Sequence, residues 1–268
     1  MQTLVDNLEN ILIFPLALIL VYETILFVFG ILLKNNSIAD VGWGLGFVIV
    51  AWFSYFTQSP QTNLDLLVNV LVSIWGIRLF LHIALRNFGK PEDFRYQNMR
   101  ANWKKFFLLK SFLIVFFLQG FLMYIISLPV IFVNVFSENT EFSYFTWAGY
   151  AIFSTGLLFE TIADWQLSKF VNLKKKGYLE KDAIITNGLW KYSRHPNYFG
   201  EALLWWGIYF IAIEIPFAWL TLLGPLTINI LVRYVSGVPL LERKYMKNPN
   251  FREYANKTSV FIPLPPKK

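Results

Sequence analysis

The feature that most constrains this chain is a series of seven apolar runs, each long enough to cross a lipid bilayer as a helix. A bilayer core of about 30 Å requires roughly 20 apolar residues, and somewhat fewer when flanking side chains reach the head groups. Only 15% of the residues are charged and 56% are hydrophobic, so lipid must cover most of the surface. We therefore predict an all-α, polytopic integral membrane helical bundle of about seven transmembrane helices. The predicted spans are 10–33, 42–57, 64–85, 106–134, 143–166, 197–213 and 216–238.

Positive charge falls almost entirely on one side of this predicted bundle. When the connecting segments are placed alternately on two sides, one side collects 22 of the 24 Lys and Arg residues. The positive-inside rule makes that side cytoplasmic, with the N-terminus lumenal or extracellular and the C-terminus in the cytoplasm. The net charge of +7 then reflects topology, and nucleic acid is not the expected partner. The opposite side carries only acidic charges, namely Asp6, Glu9, Asp65, Glu138, Glu141 and Glu214.

The connecting segments are too short to bury a core of their own, so we expect one membrane domain over residues 1–268. The expected location is a bacterial inner membrane, or the endoplasmic reticulum in a eukaryote, with the active site facing the cytoplasm. There is no cysteine, and His82 and His195 are the two histidines, so a protein-bound metal is not expected.

Ionisable residues inside the runs cost about 2.5–3.5 kcal/mol each to insert, and they usually mark a polar site in the bundle. Spacings of four residues place them in stripes near the cytoplasmic side on three spans. Structural ion pairing, for example of Arg78 with Glu160, is an alternative reading. Glu23 lies apart from the stripes, and we expect it to be structural. The polar stripes that this spacing predicts are Arg78, His82 and Arg86 on the third span, Glu160 and Asp164 on the fifth, and Asn197 and Glu201 on the sixth.

The segment 186–206, TNGLWKYSRHPNYFGEALLWW, carries the most information about a ligand. Pro196 suits the first turn of a helix, where free backbone N–H groups attract anions. Phosphates could be held there by these N–H groups and by Arg194, which lies just before the turn with His195. Asn197 and Glu201, deeper in the same helix, could hydrogen-bond a polar group. Arg194 by itself could equally be a topology anchor.

Gly42, Gly44 and Gly46 do not form a dinucleotide-binding fingerprint, because no strand precedes them in this apolar run. They are expected to permit close helix packing instead. Among the ten tryptophans, Trp43, Trp75 and Trp205 lie near the polar stripes and are expected to line a flat apolar substrate slot.

The motif GLWKYSRHPNYFGE resembles the steroid 5α-reductase superfamily of membrane reductases, and within it the bacterial-type branch labelled as a domain of unknown function (DUF1295). The resemblance covers nearly the whole chain, and the half at about 143–268 resembles the cofactor-binding region. Its further matches are DVGWGLGF at 40–47, RLFLHIALRNFGKPEDFRY at 78–96, FETIADWQ at 159–166, SGVPLLERK at 236–244 and FIPLPP at 261–266.

The resemblance implies NADPH-dependent reduction of a carbon–carbon double bond in a lipid-like substrate of the steroid, isoprenoid or enoyl kind. Steroid-reducing members carry a glutamate on the second helix and a tyrosine on the third, and neither is present here. The nearest chemical substitutes are Asp40 and Tyr96, which we take as the catalytic candidates. The implied cofactor contacts are Arg86, Arg95, Asp164, Tyr192, Arg194, His195, Asn197, Glu201, Arg233 and Glu242.

Two other functions remain open. A membrane methyltransferase that uses S-adenosylmethionine shares an RHPxYxG stretch, although such proteins usually end in a pair of glutamates where this chain has Leu-Glu-Arg-Lys at 241–244. A non-enzymatic lipid-binding protein could also have kept the fold.

Overall fold

The seven apolar runs coincide with helices in the computed structural model of the protein, which describes residue 5 and residues 7–58, 60–138 and 141–267. Within these described residues all regular secondary structure is helical, without a strand. The prediction of a polytopic helical membrane protein is confirmed, whereas the orientation stays a prediction. Asp6 lies outside the described residues. Five helical segments are long and apolar enough to cross a membrane, namely Glu9–Leu32, Ile38–Phe56, Asn63–Asn87, Phe94–Phe136 and Ala218–Tyr245.

The other two predicted spans, 143–166 and 197–213, lie in a more polar helix of 32 residues and in a helix of 17 residues. Short π-helical turns precede the helices Phe14–Leu32 and Leu118–Phe136 and follow the helix Leu223–Ile230. In the described part of the chain, the helices of eight or more residues are α1 (Phe14–Leu32), α2 (Ile38–Phe56), α3 (Asn63–Asn87), α4 (Phe94–Trp103), α5 (Leu118–Phe136), α6 (Tyr144–Lys175), α7 (Pro196–Ala212), α8 (Leu223–Ile230), α9 (Val238–Tyr245) and α10 (Pro249–Lys257).

The chain forms two compact units. Unit 1 comprises Met1–Phe142 and Ala212–Gly224, and unit 2 comprises Ser143–Ile211 and Pro225–Lys268. The region predicted to bind a cofactor therefore falls mostly in unit 2. Because the chain passes between the units three times, neither is a separate stretch of sequence, and the single membrane domain remains a prediction.

In unit 1 the glycines of α2 allow neighbouring helices to approach closely. A Cβ atom on Gly44 would lie 2.3 Å from the carbonyl oxygen of Gly76 on α3. On the opposite side of α2, a Cβ on Gly42 would lie 2.4 Å from Leu26 of α1, and one on Gly46 would lie 2.3 Å from Met123 of α5. The expected close packing is confirmed, because these glycines let α2 pack closely against α1, α3 and α5.

In unit 2 two pairs of glycines fix the packing of α6 against α7. Gly149 faces Gly207 and Gly156 faces Gly200, and the two glycines on each helix are seven positions apart. A Cβ at any of these four positions would lie 2.5–2.6 Å from a backbone atom of the other helix. Small residues of this kind let membrane helices touch backbone to backbone. The register of α6 and α7 is therefore set by main-chain contact.

The starts of two helices are fixed by side chains that satisfy otherwise unpaired N–H groups. The hydroxyl of Thr62 accepts from Asp65 N at 3.2 Å, while Thr62 N donates to the Asp65 carboxylate at 2.8 Å. At α6 the hydroxyl of Ser143 accepts from the backbone N–H groups of Phe145 and Thr146. These caps end the polar turns at the edges of the apolar runs.

Candidate functional site

A hydrogen-bonded pair joins the polar stripes of α6 and α7 in unit 2. Asn197 Nδ2, in the first turn of α7, donates to Asp164 Oδ1 at 3.1 Å. Asp164 is buried, and Asn197 Oδ1 is buried without a hydrogen-bond partner. A buried amide oxygen left unsatisfied costs about 1–3 kcal/mol. The pair therefore presents an acceptor that a ligand N–H group would satisfy.

The glycine contact explains why these stripes meet. Gly200 lies between Asn197 and Glu201 in sequence and packs against the backbone of Glu160, one turn before Asp164. Glu160 is itself buried. The spacing of four residues thus brings Asn197 of one predicted stripe into contact with Asp164 of the other.

A second cluster holds the segment that precedes α7. Arg194 donates Nε to Glu242 Oε1 at 2.7 Å and Nη2 to Glu242 Oε2 at 3.1 Å. Its Nη1 group donates to the carbonyl oxygens of Ala255 at 2.6 Å and Thr258 at 3.0 Å. Four of the five guanidinium N–H donors are thereby engaged within unit 2. Arg194 therefore mainly holds the C-terminal segment in place. One of its N–H groups remains to donate to a phosphate, as the sequence predicts.

His195 completes the cluster around Glu242. Its Nε2 atom lies 3.1 Å from Glu242 Oε1, and its ring stacks on Tyr198 at 5.7 Å between centroids. Burial lowers the pKa of His195, and this effect together with the charges of Arg194 and Arg233 outweighs the attraction of Glu242. The imidazole is therefore neutral at neutral pH, with Glu242 accepting from Nε2–H.

The C-terminal segment packs against residues 190–195 and belongs to this site. Arg194 N donates to Ser259 O at 2.8 Å, and Ser193 Oγ donates to Phe261 O at 2.7 Å. Leu264 N donates to Tyr192 O at 2.9 Å. The FIPLPP stretch, a weak motif by sequence, is thus bound beside Tyr192 and Ser193, just before the RHPN turn, by one side-chain and one main-chain hydrogen bond.

Unit 1 contains a comparable cluster at the start of α2 and α4. Tyr96 donates its hydroxyl to Asp40 Oδ1 at 2.7 Å, and Arg95 Nη2 donates to Asp40 Oδ2 at 2.5 Å. The Nε and backbone N of Arg95 both donate to Asp93 Oδ1 at 2.9 Å. The two catalytic candidates, Asp40 and Tyr96, are therefore in direct contact although 56 residues separate them.

The side chain of Asp93 is held in its charged carboxylate form in this cluster. Burial alone would raise the pKa of Asp93, but the hydrogen bonds from Arg95 and the charges of Arg95 and Arg86 hold it below its usual value. Asp93 also receives Arg95 N as the cap of α4, and its own N–H donates to Ser37 Oγ at 2.8 Å. The loop before α4 is thereby tied to the start of α2.

A neighbouring network in unit 1 was not predicted from the sequence. Glu92 accepts from Asn36 N at 2.8 Å and from Arg100 at 3.0 and 3.1 Å. Asn36 Nδ2 also donates to Ser111 Oγ at 2.5 Å. A turn signal at Asn35–Asn36 and the acidic pair at 92–93 were visible, but their pairing depends on the tertiary fold.

The three tryptophans of the predicted slot are placed differently. In unit 1 the rings of Trp43 and Trp75 both contact Phe47, which lies between them at 5.0 and 5.2 Å. Trp75 and, in unit 2, Trp205 are fully buried. Neither of these two offers an open ring face to a ligand here, so the slot stays a prediction that requires movement of side chains.

The remaining residues predicted to contact the cofactor include two with exposed side chains. Tyr192 is 42% exposed, Arg86 is exposed, and Arg233 stacks its guanidinium on the ring of Tyr234 at 4.8 Å. Among the described residues no group of three His, Asp or Glu side chains is arranged to hold a metal ion.

Comparison with known proteins shows the family. Residues 26–258 match the family described as "Protein of unknown function (DUF1295)", and the chain belongs to it. A Schizosaccharomyces pombe protein described as uncharacterized is 23% identical over 260 residues, which cover 86% of this chain and 73% of that protein. No solved structure matches the chain. The protein is therefore a helical membrane protein of the DUF1295 family.

Proposed function

We propose that this membrane protein is an NADPH-dependent reductase of a carbon–carbon double bond in a lipid-like substrate. The proposal rests on the resemblance of the RHPN region to steroid 5α-reductases and on the polar pair that this region forms with α6. The observation that carries it is the buried, unpartnered Oδ1 atom of Asn197 beside the Asp164 carboxylate. A nicotinamide carboxamide presents an N–H donor that would satisfy this acceptor.

The residues present fit the nicotinamide end of the cofactor better than its phosphates. NADPH, when bound, supplies a hydride to an activated alkene. Asn197 and Asp164 would hold the carboxamide and orient the ring, with Glu201 one turn further along α7. Arg194 has one N–H donor left for phosphate, so Arg233 and the exposed Tyr192 are the better candidates for that role.

Reduction of an activated alkene also needs a group that polarises the substrate oxygen and returns a proton. Tyr96 is our candidate, with its proton held at the hydroxyl oxygen and directed at Asp40 Oδ1. Its O–H bond must turn from Asp40 to the substrate oxygen, and Arg95 keeps the Asp40 charge compensated while this happens. Asp40 is then a positioning residue for Tyr96.

The runner-up is an S-adenosylmethionine-dependent methyltransferase. The same Asp164 carboxylate and Asn197 acceptor also suit the α-ammonium group of S-adenosylmethionine. This alternative shares the binding residues, so the identity of the ligand decides between the two enzymes.

The test is a calorimetric titration of the detergent-purified protein with NADPH and, separately, with S-adenosylmethionine. We expect NADPH to bind and Asn197→Leu to weaken its binding by about tenfold or more, because one hydrogen bond and a buried acceptor are lost. Asn229→Leu is the matched control, since the Asn229 amide donates to Pro225 O of its own helix at 2.7 Å.

Binding of S-adenosylmethionine without NADPH would replace the reductase by the methyltransferase. Binding of neither would favour a non-enzymatic lipid-binding protein. If Asn197→Leu and Asn229→Leu weaken NADPH binding equally, the α6–α7 pair is not the cofactor site.

A further inference from the structure

An open groove runs along the C-terminal half of α6 in unit 2, away from the Asp164–Asn197 pair. Its larger hollow has a volume of about 330 Å³ and is lined by Trp165, Ser168, Lys169, Asn172, Leu173 and Lys176. A second hollow of about 250 Å³ shares Trp165, Lys169 and Leu173 and extends the groove to Asn187 and Gly188. The groove thus combines ammonium, hydroxyl and amide donors with an indole ring.

The groove continues an exposed apolar face of the same helix. Leu158 is 59% exposed, Ile162 is 41% exposed and Trp165 is 61% exposed. Together with Lys169 and the C-cap residue Lys176 they recur at intervals of four, three, four and seven residues, which places them along one face of α6 and its end. The order along this face is aliphatic, then indole, then ammonium.

This order matches the layers of a lipid leaflet. Acyl chains meet aliphatic side chains, tryptophan prefers the level of the head groups, and lysine extends its ammonium into the polar layer. The Lys169 ammonium lies 5.4 Å from the centre of the Trp165 ring, which keeps it beside the groove. Lys174, in contrast, turns away and donates to Ala183 O at 2.8 Å.

The charge of the groove selects an anionic occupant. Lys169 and Lys176 line it, while the acidic side chains nearest on the helix, Glu160 and Asp164, are buried on its other side. We propose that this groove binds one anionic phospholipid, with its phosphate at Lys169 and Lys176 and an acyl chain along Leu158 and Ile162. The site is separate from the proposed cofactor contacts.

The test is native mass spectrometry of the full-length protein titrated with phosphatidylglycerol and with phosphatidylcholine of the same chain length. We expect the wild type to retain phosphatidylglycerol in preference. The double variant K169Q/K176Q is expected to lose about 25-fold of this preference, at roughly fivefold per lysine. The matched control K175Q/K181Q removes the same charge from exposed positions outside the groove and is expected to keep it.

Three outcomes would overturn the proposal. The first is a wild type that shows no preference for the anionic lipid, and the second is an equal loss of this preference in the two double variants. The third is displacement of the lipid by inorganic phosphate at millimolar concentration. NADPH titration of K169Q/K176Q is expected to match the wild type, so this proposal and the proposed reductase activity can fail independently.

Discussion

The two units contain the same arrangement of an arginine, a ring side chain and a carboxylate, in different surroundings. In unit 1, Arg95 and the next residue, Tyr96, both bind Asp40. In unit 2, Arg194 and the next residue, His195, both bind Glu242. In each case a carboxylate from a distant helix binds both a guanidinium and the polar atom of a buried ring.

The two clusters differ in exposure and in the remaining partners of the arginine. The side chains of Arg95 and Asp40 are 31% and 21% exposed, against 11% and 14% for Arg194 and Glu242. Arg194 also binds two carbonyl groups of the C-terminal segment, whereas Arg95 binds a second carboxylate, Asp93. Arg194 and Glu242 therefore form a structural clasp in unit 2, whereas the side chains of Arg95 and Asp40 in unit 1 are more exposed.

The largest expected effect is in the clasp of unit 2. Arg194→Ala leaves Glu242 without its guanidinium and frees the C-terminal segment, so we expect a loss of about 3 kcal/mol or more in stability. Thermal unfolding in detergent without cofactor measures it, with Arg243→Ala, an exposed arginine beside Glu242, as the control. Wild-type stability combined with weakened NADPH binding would instead make Arg194 the phosphate ligand that the sequence predicts.

A smaller effect is expected in unit 1. Tyr96→Phe removes one hydrogen bond to a carboxylate that keeps Arg95, so the expected loss of stability is about 1.5 kcal/mol. If Tyr96 is the proton donor, single-turnover NADPH oxidation with a suitable alkene falls far more than stability does. Tyr55→Phe is the control, because the Tyr55 ring contacts Trp52 and Phe56 within α2. Unchanged turnover in Tyr96→Phe would reduce the unit 1 cluster to a structural role.

The smallest effect is a difference in pH dependence. The pKa of His195 is lowered in the folded protein, so its contribution is present above about pH 6.5, the unfolded value, and is lost as the pH falls through the folded pKa. The pKa of Asp93 is also lowered, and its contribution begins to fall only below about pH 4. Thermal unfolding between pH 8 and pH 5 should show a decline that His195→Gln removes. An equal decline in His195→Gln would assign the titration to another group.

The sequence predicted the helices well, because apolar length and charge asymmetry act along the chain. It also predicted that the stripes of α6 and α7 share a polar region, since spacings of four residues fix a helix face. The contact of Asp40 with Tyr96 and the engagement of Arg194 by the C-terminal segment were not predicted. Both depend on residues more than 45 positions apart, and no local pattern encodes which of several arginines a given carboxylate will meet.

The glycine pairs of α6 and α7 were also missed, although Gly149, Gly156, Gly200 and Gly207 are plain in the sequence. The spacing of seven on each helix was the available signal. It becomes informative only when the two helices are compared with each other in antiparallel order.

The clasp around Arg194 has a consequence for the synthesis of the protein. The carbonyl groups of Ala255 and Thr258 lie 61 and 64 positions after Arg194, so they are synthesised well after α7. Chains generally acquire structure from the N-terminus during translation, yet the turn before α7 cannot complete its hydrogen bonds until Ala255 and Thr258 have been synthesised. A nascent chain that stops before Ala255 therefore lacks both carbonyl partners of Arg194.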